Sequence, residues 1–141
     1  MSTDTRDKPF TIAGRPFFGA ELFEAIFDSA DVGICLTDVE RRFVLVNPAY
    51  CRTYGYRAQE LIGQPFTMVL PEADRELAGR LHDDFLAGGD ESAGRWRVVR
   101  KDGDVVDIMV TAARVRDKDG KLYKLTTVTP LAGLYEAARS A

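Results

Sequence analysis

The sequence predicts an α+β domain: a five-stranded antiparallel sheet with a helical crossover on one face and an amphipathic helix at the N-terminus. Three observations predict it. Two short apolar runs, 32–38 and 41–47, lie close enough to pair as a hairpin. Three further runs near the C-terminus are joined by two Asp-Gly turns, a strong short-range hairpin signal. Between the two groups, residues 48–89 change to helical spacing.

Taken in order, residues 1–15 are polar and read as a disordered N-terminal segment. Residues 16–31 read as the amphipathic helix, with Phe18, Leu22 and Ile26 on one stripe and Phe23 and Phe27 beside them. The first hairpin ends in "LVNPAYCRTYGY". Asn47 has the side chain of a helix cap, Pro48 suits a first helical position, and Gly55 suits a left-handed stop that lets Tyr56 pack back. Short helices follow, then a longer one that starts after Pro71, carries Glu72 and Asp74 at its N-terminal end and stops at Gly88-Gly89. Strands 94–100, 104–117 and 121–129 turn at Lys101-Asp102-Gly103 and Lys118-Asp119-Gly120. The main domain therefore spans 32–130, with 131–141 as a C-terminal tail.

A chain of 141 residues suggests one domain with one core. The formal net charge is −3 with the signs interspersed, so there is no basic stripe and nucleic acid is not an expected partner. No apolar run approaches the roughly 18 residues of a membrane span, and the polar N-terminus lacks a signal-peptide core, so a cytoplasmic protein without membrane insertion is expected. Cys35, Cys51 and the single histidine, His82, do not make a zinc site, and the cysteines read as buried free thiols. Asp83 and Asp84 are adjacent on a helix and point apart, no Gly-rich phosphate loop is present, and nothing ties a nucleophile to His82. No enzyme and no metal are expected.

Five segments in order resemble the PAS domain family: Asn47-Pro48-Ala49-Tyr50, Tyr54-Gly55-Tyr56, Glu60-Leu61-Ile62-Gly63, Pro71-Glu72-Ala73-Asp74-Arg75 and Arg100-Lys101-Asp102-Gly103. The resemblance covers about residues 20–130. It departs at the turn after the first strand, where the family usually has Gly and this chain has Glu40-Arg41. It implies a sensory or interaction module that in some members holds flavin, haem or a metabolite and is not normally an enzyme. Light-sensing members carry a reactive Cys and flavin-bonding Asn residues; the matching positions here are Phe66, Val98 and Ile108, so flavin is not expected. Haem-binding members carry a His on the long helix seven residues after its Pro. Here His82 lies eleven residues after Pro71 and Ala78 fills the expected slot, leaving His82 as an offset candidate haem ligand.

On the fourth strand of the sheet, Val106, Ile108, Val110 and Ala112 alternate with Val105, Asp107, Met109 and Thr111. The first set, with Cys35, Phe66, Phe85, Trp96 and Val98, is the expected interior, either a filled core or a cavity for a small apolar ligand. The second set, with Ile34 and Leu36, makes the other face apolar as well. A homodimer is expected through Phe18, Leu22, Phe23, Ile26, Phe27 and Met109. The family's usual Asp-Ile-Thr exit is here Leu131-Ala132-Gly133, and no further module follows, which reads as a freestanding domain or an excised one. The implied function is a bacterial signalling module that dimerises and docks on a partner such as a histidine kinase of two-component signalling. The alternative is a ligand sensor for haem or a small apolar metabolite.

Overall fold

The computed structural model describes residues 9–12, 15–90 and 93–131. The expected disordered stretch 1–8 and the tail beyond Leu131 lie outside the described residues. The chain divides into two compact units, Met1–Ala30 and Asp31–Ala141.

In the first unit, β1 (Pro9–Ile12) and β2 (Arg15–Phe18) form an antiparallel pair with Phe10 opposite Phe17. This corrects the expectation that 1–15 is without structure and that the helix starts at 16. "PFTI" and "RPFF" are rich in strand-forming residues, and Pro16 drives the residue before it out of the helical region. Helix α1 (Gly19–Ser29) therefore begins only after Phe18. On it, Phe23 and Phe27 stack one turn apart with ring centroids 5.8 Å from each other.

The second unit is a five-stranded antiparallel sheet. Its strands are β3 (Gly33–Thr37), β4 (Phe43–Val46), β5 (Gly94–Val99), β6 (Val105–Arg116) and β7 (Leu122–Pro130). They lie in the order β4-β3-β7-β6-β5. The first and last strands in sequence, β3 and β7, are neighbours at the centre, with Cys35 opposite Thr126 and Thr37 opposite Lys124. The crossover from β4 to β5 contains α2 (Pro48–Tyr54), α3 (Ala58–Leu61), two 3-10 turns (Phe66–Val69 and Glu72–Asp74) and α4 (Arg75–Leu86).

Asn47 turns the chain off β4. It is fully buried, and its Oδ1 accepts from the backbone N–H groups of Ile34 (2.8 Å) and Tyr50 (2.9 Å). Its Nδ2 donates to the Val32 carbonyl at 3.0 Å, so one side chain both caps α2 and binds the helix to β3. Gly55 ends α2 in the left-handed region at φ 79°, which a side chain would resist. The turn between β5 and β6 supplies donors to the carbonyls left over at that helix end: Lys101 N–H to Tyr54 at 2.9 Å and Arg100 Nη1 to Thr53 at 3.0 Å. Lys101 Nζ also meets Glu60 Oε2 on α3 at 2.6 Å, and this ammonium is the first reason the Glu60 carboxyl is held down to about 2. The core between sheet and crossover is built on Phe43, Tyr50, Tyr54, Leu61, Val98, Ile108 and Val128.

Candidate functional site

Between the inner sheet face and the crossover lies a cavity of about 90 Å³. The sheet contributes rows of paired residues to its floor. Thr37 and Lys124 form one row; Cys35, Thr126 and Ala112 form the next; Val128 and Val110 form a third. Trp96, Val98 and Ile108 continue it toward β5, and Tyr50, Tyr54, Phe66, Val69, Leu70, Ala78, Leu81 and His82 close it from the crossover. One end is thus polar and the other hydrocarbon.

His82 stands at the polar end and is 1% exposed. Its ring stacks on Phe66 with centroids 4.9 Å apart, and its Nε2 lies 2.9 Å from Thr37 Oγ1. Its Nδ1 has no hydrogen-bond partner and lies 3.6 Å from Asp83 Oδ1. Burial, with the positive charge of Lys124 second, pushes the imidazole down to about 4, so the ring is neutral near pH 7. The Asp83 carboxylate beside Nδ1 favours the tautomer with its proton on Nδ1, and in that tautomer Nε2 accepts from the Thr37 hydroxyl.

Asp83 is fixed from outside by a two-point ion pair, Arg41 Nε to Oδ1 at 3.1 Å and Nη2 to Oδ2 at 2.7 Å. These bonds hold its carboxyl below the usual range. Arg41 lies in the β3–β4 turn and takes the left-handed conformation at φ 67°. Its guanidinium lies in a notch on α4 at Gly79, where a Cβ would come within 2.7 Å of Arg41 Cζ. The β3–β4 turn is thereby clamped onto the helix that carries His82.

Of the nine residues expected at the interior, Cys35, Phe66, Trp96, Val98, Ile108, Val110 and Ala112 line the cavity, whereas Phe85 and Val106 do not. Phe85 is buried under the Arg114 guanidinium, 4.3 Å from ring centroid to Cζ, with Lys124 Nζ 5.1 Å from the same ring. Val106 packs beside the core, opposite Val98 on β5. Thr37, Thr126 and Lys124 are not among the expected interior residues; Thr37 shares the strand alternation of Cys35, whereas no residue of β7 had an inward neighbour in the sequence to follow. The Cys35 thiol is buried and pushed up to about 12, chiefly by desolvation, with Tyr50 as its hydrogen-bonding neighbour. Of the expected dimer residues, Leu22, Phe23, Ile26 and Met109 are exposed and Phe27 is half-buried; the Phe18 side chain lies outside the described residues.

Neither cofactor considered from the resemblance fits this cavity. Pockets for larger organic ligands run to about 300–1,000 Å³. A haem would also need a histidine nitrogen that is here given to Thr37 or turned to Asp83. Val98 and Ile108 would meet the polar edge of a flavin with hydrocarbon. Among the described residues no group of three or more His, Cys, Asp or Glu side chains could hold a metal ion. No helix among them is long and apolar enough to cross a membrane.

A central antiparallel sheet wrapped on one face by a helical crossover, with a small cavity between them, defines the class of sensory α+β modules. The family model described as PAS fold matches residues 21–128, and the chain belongs to the PAS family. It is 27% identical over 104 residues to a nitrogen fixation regulatory protein of Klebsiella oxytoca, covering 72% of this chain and 20% of that protein. It is 28% identical over 85 residues to the sensor histidine kinase TmoS of Ectopseudomonas mendocina, covering 60% of this chain and 9% of the kinase. The chain thus spans a fifth or less of these relatives. A PAS domain from Colwellia psychrerythraea has the same fold, with TM-score 0.70, 21% identity, and coverage of 78% of this chain and 94% of that one. The family and these relatives place the chain among signal-transduction modules.

Proposed function

We propose that the chain works by assembly rather than catalysis, pairing with a second copy and docking on a signalling protein such as a sensor histidine kinase. The observation that carries this is exposed apolar surface. Phe23 and Ile26 on α1 are 57% and 54% exposed, and Val105 and Met109 on the outer sheet face are 55% and 39% exposed. Burying a Phe or Leu is worth about 1.5–3 kcal/mol, so a handful shared between two subunits can offset an association cost of about 4–15 kcal/mol. The relatives named for sensing and regulation support the reading. So does a cavity lined by no carboxylate, with its one histidine neutral and bonded through Nε2 to Thr37.

Light scattering coupled to size exclusion tests it over a concentration series. The wild type is expected to run as a dimer, and Phe23→Glu as a folded monomer with an unchanged melting temperature. A wild type that stays monomeric at high concentration would sink the idea, as would a Phe23→Glu chain that unfolds.

A second reading, a ligand sensor, is favoured by the cavity itself. Its occupant would be a small molecule rather than haem or flavin.

A further inference from the structure

We infer that the cavity is a site for a neutral hydrogen-bond donor of about four non-hydrogen atoms, of the class of the short-chain alcohols, whose hydroxyl donates to Thr37 Oγ1. The assignment rests on the sensor reading and gives it a chemical class.

Charge excludes ions. No Asp or Glu lines the cavity, and its one histidine is neutral near pH 7. Lys124 is the one lining residue with a formal charge, and its Nζ lies over the Phe85 ring, 5.1 Å from the centroid. Phe85 is not part of the lining, so the ammonium is engaged outside it. An ion entering the cavity would give up water and meet no counter-charge, a cost that bars anions and cations alike.

Hydrogen bonding selects a donor. Thr37 is buried, and its Oγ1 lies 2.9 Å from His82 Nε2. In the tautomer that Asp83 favours, the threonine hydrogen points to that nitrogen. A hydroxyl has one hydrogen and two lone pairs, so what Thr37 still offers is an acceptor. Other polar groups of the lining are tied to neighbours: Cys35 to Tyr50 and Thr126, Tyr50 to Tyr54, and Thr111 to Thr127. A guest with a donor completes Thr37, whereas a guest with only an acceptor sets two oxygens face to face.

Size sets the rest. An apolar cavity of about 150 Å³ holds benzene, so one of about 90 Å³ has room for about four non-hydrogen atoms.

The experiment titrates the whole chain with four probes of equal heavy-atom count, 2-propanol, acetone, acetate and isopropylammonium, followed by amide and methyl NMR. The alcohol should bind saturably, with shifts at the Thr37 amide and at the Leu81 and Ala112 methyls. Acetone should bind about tenfold more weakly, the loss expected when the hydrogen bond to Thr37 is not made, and the two ions should not enter. Thr37→Ser, which keeps the hydroxyl, should keep the preference for the alcohol. Thr37→Val should lower 2-propanol to the level of acetone and leave acetone unchanged; if that variant does not fold, the wild-type comparison decides alone. Ala112→Leu, which fills the cavity, should abolish both. Equal or tighter binding of acetone by the wild type, as an indole N–H of Trp96 facing the guest would give, overturns the donor assignment and leaves the sensor reading standing. So does an undiminished preference in folded Thr37→Val. Saturable entry of either ion overturns the neutral assignment, and undiminished binding by Ala112→Leu overturns the site. Binding of none of the four overturns the assignment; xenon under pressure, which needs only an accessible apolar cavity, then decides the sensor reading separately.

Discussion

The two faces of the sheet are made by the same strands and have opposite fates. On β6, Ile108 is 2% exposed, and its neighbour Met109, one residue on, stands open to solvent on the other face. The inner face is finished by the crossover, whose clamp at Arg41 and Asp83 and whose contacts at Lys101 and Glu60 fix it at both ends. The outer face carries Leu36 opposite both Leu45 and Leu125, and Leu125 opposite Ala113, an apolar row across four strands. Interior positions are thus held by packing within one unit, and exterior ones are where the proposed partner would dock. If that division is real, mutations on the two faces should separate stability from assembly.

The largest effect is expected from Ile108→Ala. Removing a buried aliphatic side chain should cost about 2–5 kcal/mol, read as a shift in the denaturation midpoint at constant slope. A small loss would mean that the cavity already makes this wall loose.

Next comes acid. Unfolded, His82 takes up its proton near its ordinary value of 6.5; folded, it refuses the proton until about 4. The stability from keeping the ring neutral is therefore complete above about pH 6.5 and is lost as pH falls toward 4. It should amount to about 2 kcal/mol lost by pH 5. His82→Gln should be flatter over the same window in pH-dependent melting. Glu60 and Asp83, whose carboxyls are held low, contribute their losses below that window. An unchanged profile in the variant would show that the ring reaches water.

The smallest effect belongs to the outer face. Val105→Ala should move stability by less than about 0.5 kcal/mol, while weakening any dimer that uses this face. A loss comparable to that of Ile108→Ala would erase the distinction between the faces.

Much of this was legible in the sequence because short-range chemistry dictates it. Asn47-Pro48 and Gly55 carry their own cap and stop, the Asp-Gly turns declare two hairpins, and alternation on β6 assigns its two faces. What was not legible depends on register between distant segments. Whether His82 falls on the rim or inside depends on how α4 rotates against β3, and a Thr–His bond separated by 45 residues in sequence leaves no local trace. Phe85 has the apolar character of a cavity wall but is drawn under Arg114 and Lys124 instead. The strand pair at 9–18 was hidden because its two pieces are four residues each and follow a charged stretch.

Arg41 and Gly79 bear on how this protein could be re-engineered. Taken singly, each is the wrong residue for its place: an arginine in the left-handed region costs about 1–2 kcal/mol, and a glycine within a helix costs about 1 kcal/mol relative to alanine. A position-by-position stabilisation scheme would replace both. Yet the notch exists so that the guanidinium can lie across the helix to Asp83, and the strained turn exists so that it can reach. The two positions are therefore expected to be coupled, with Gly79→Ala costing more beside Arg41 than in its absence.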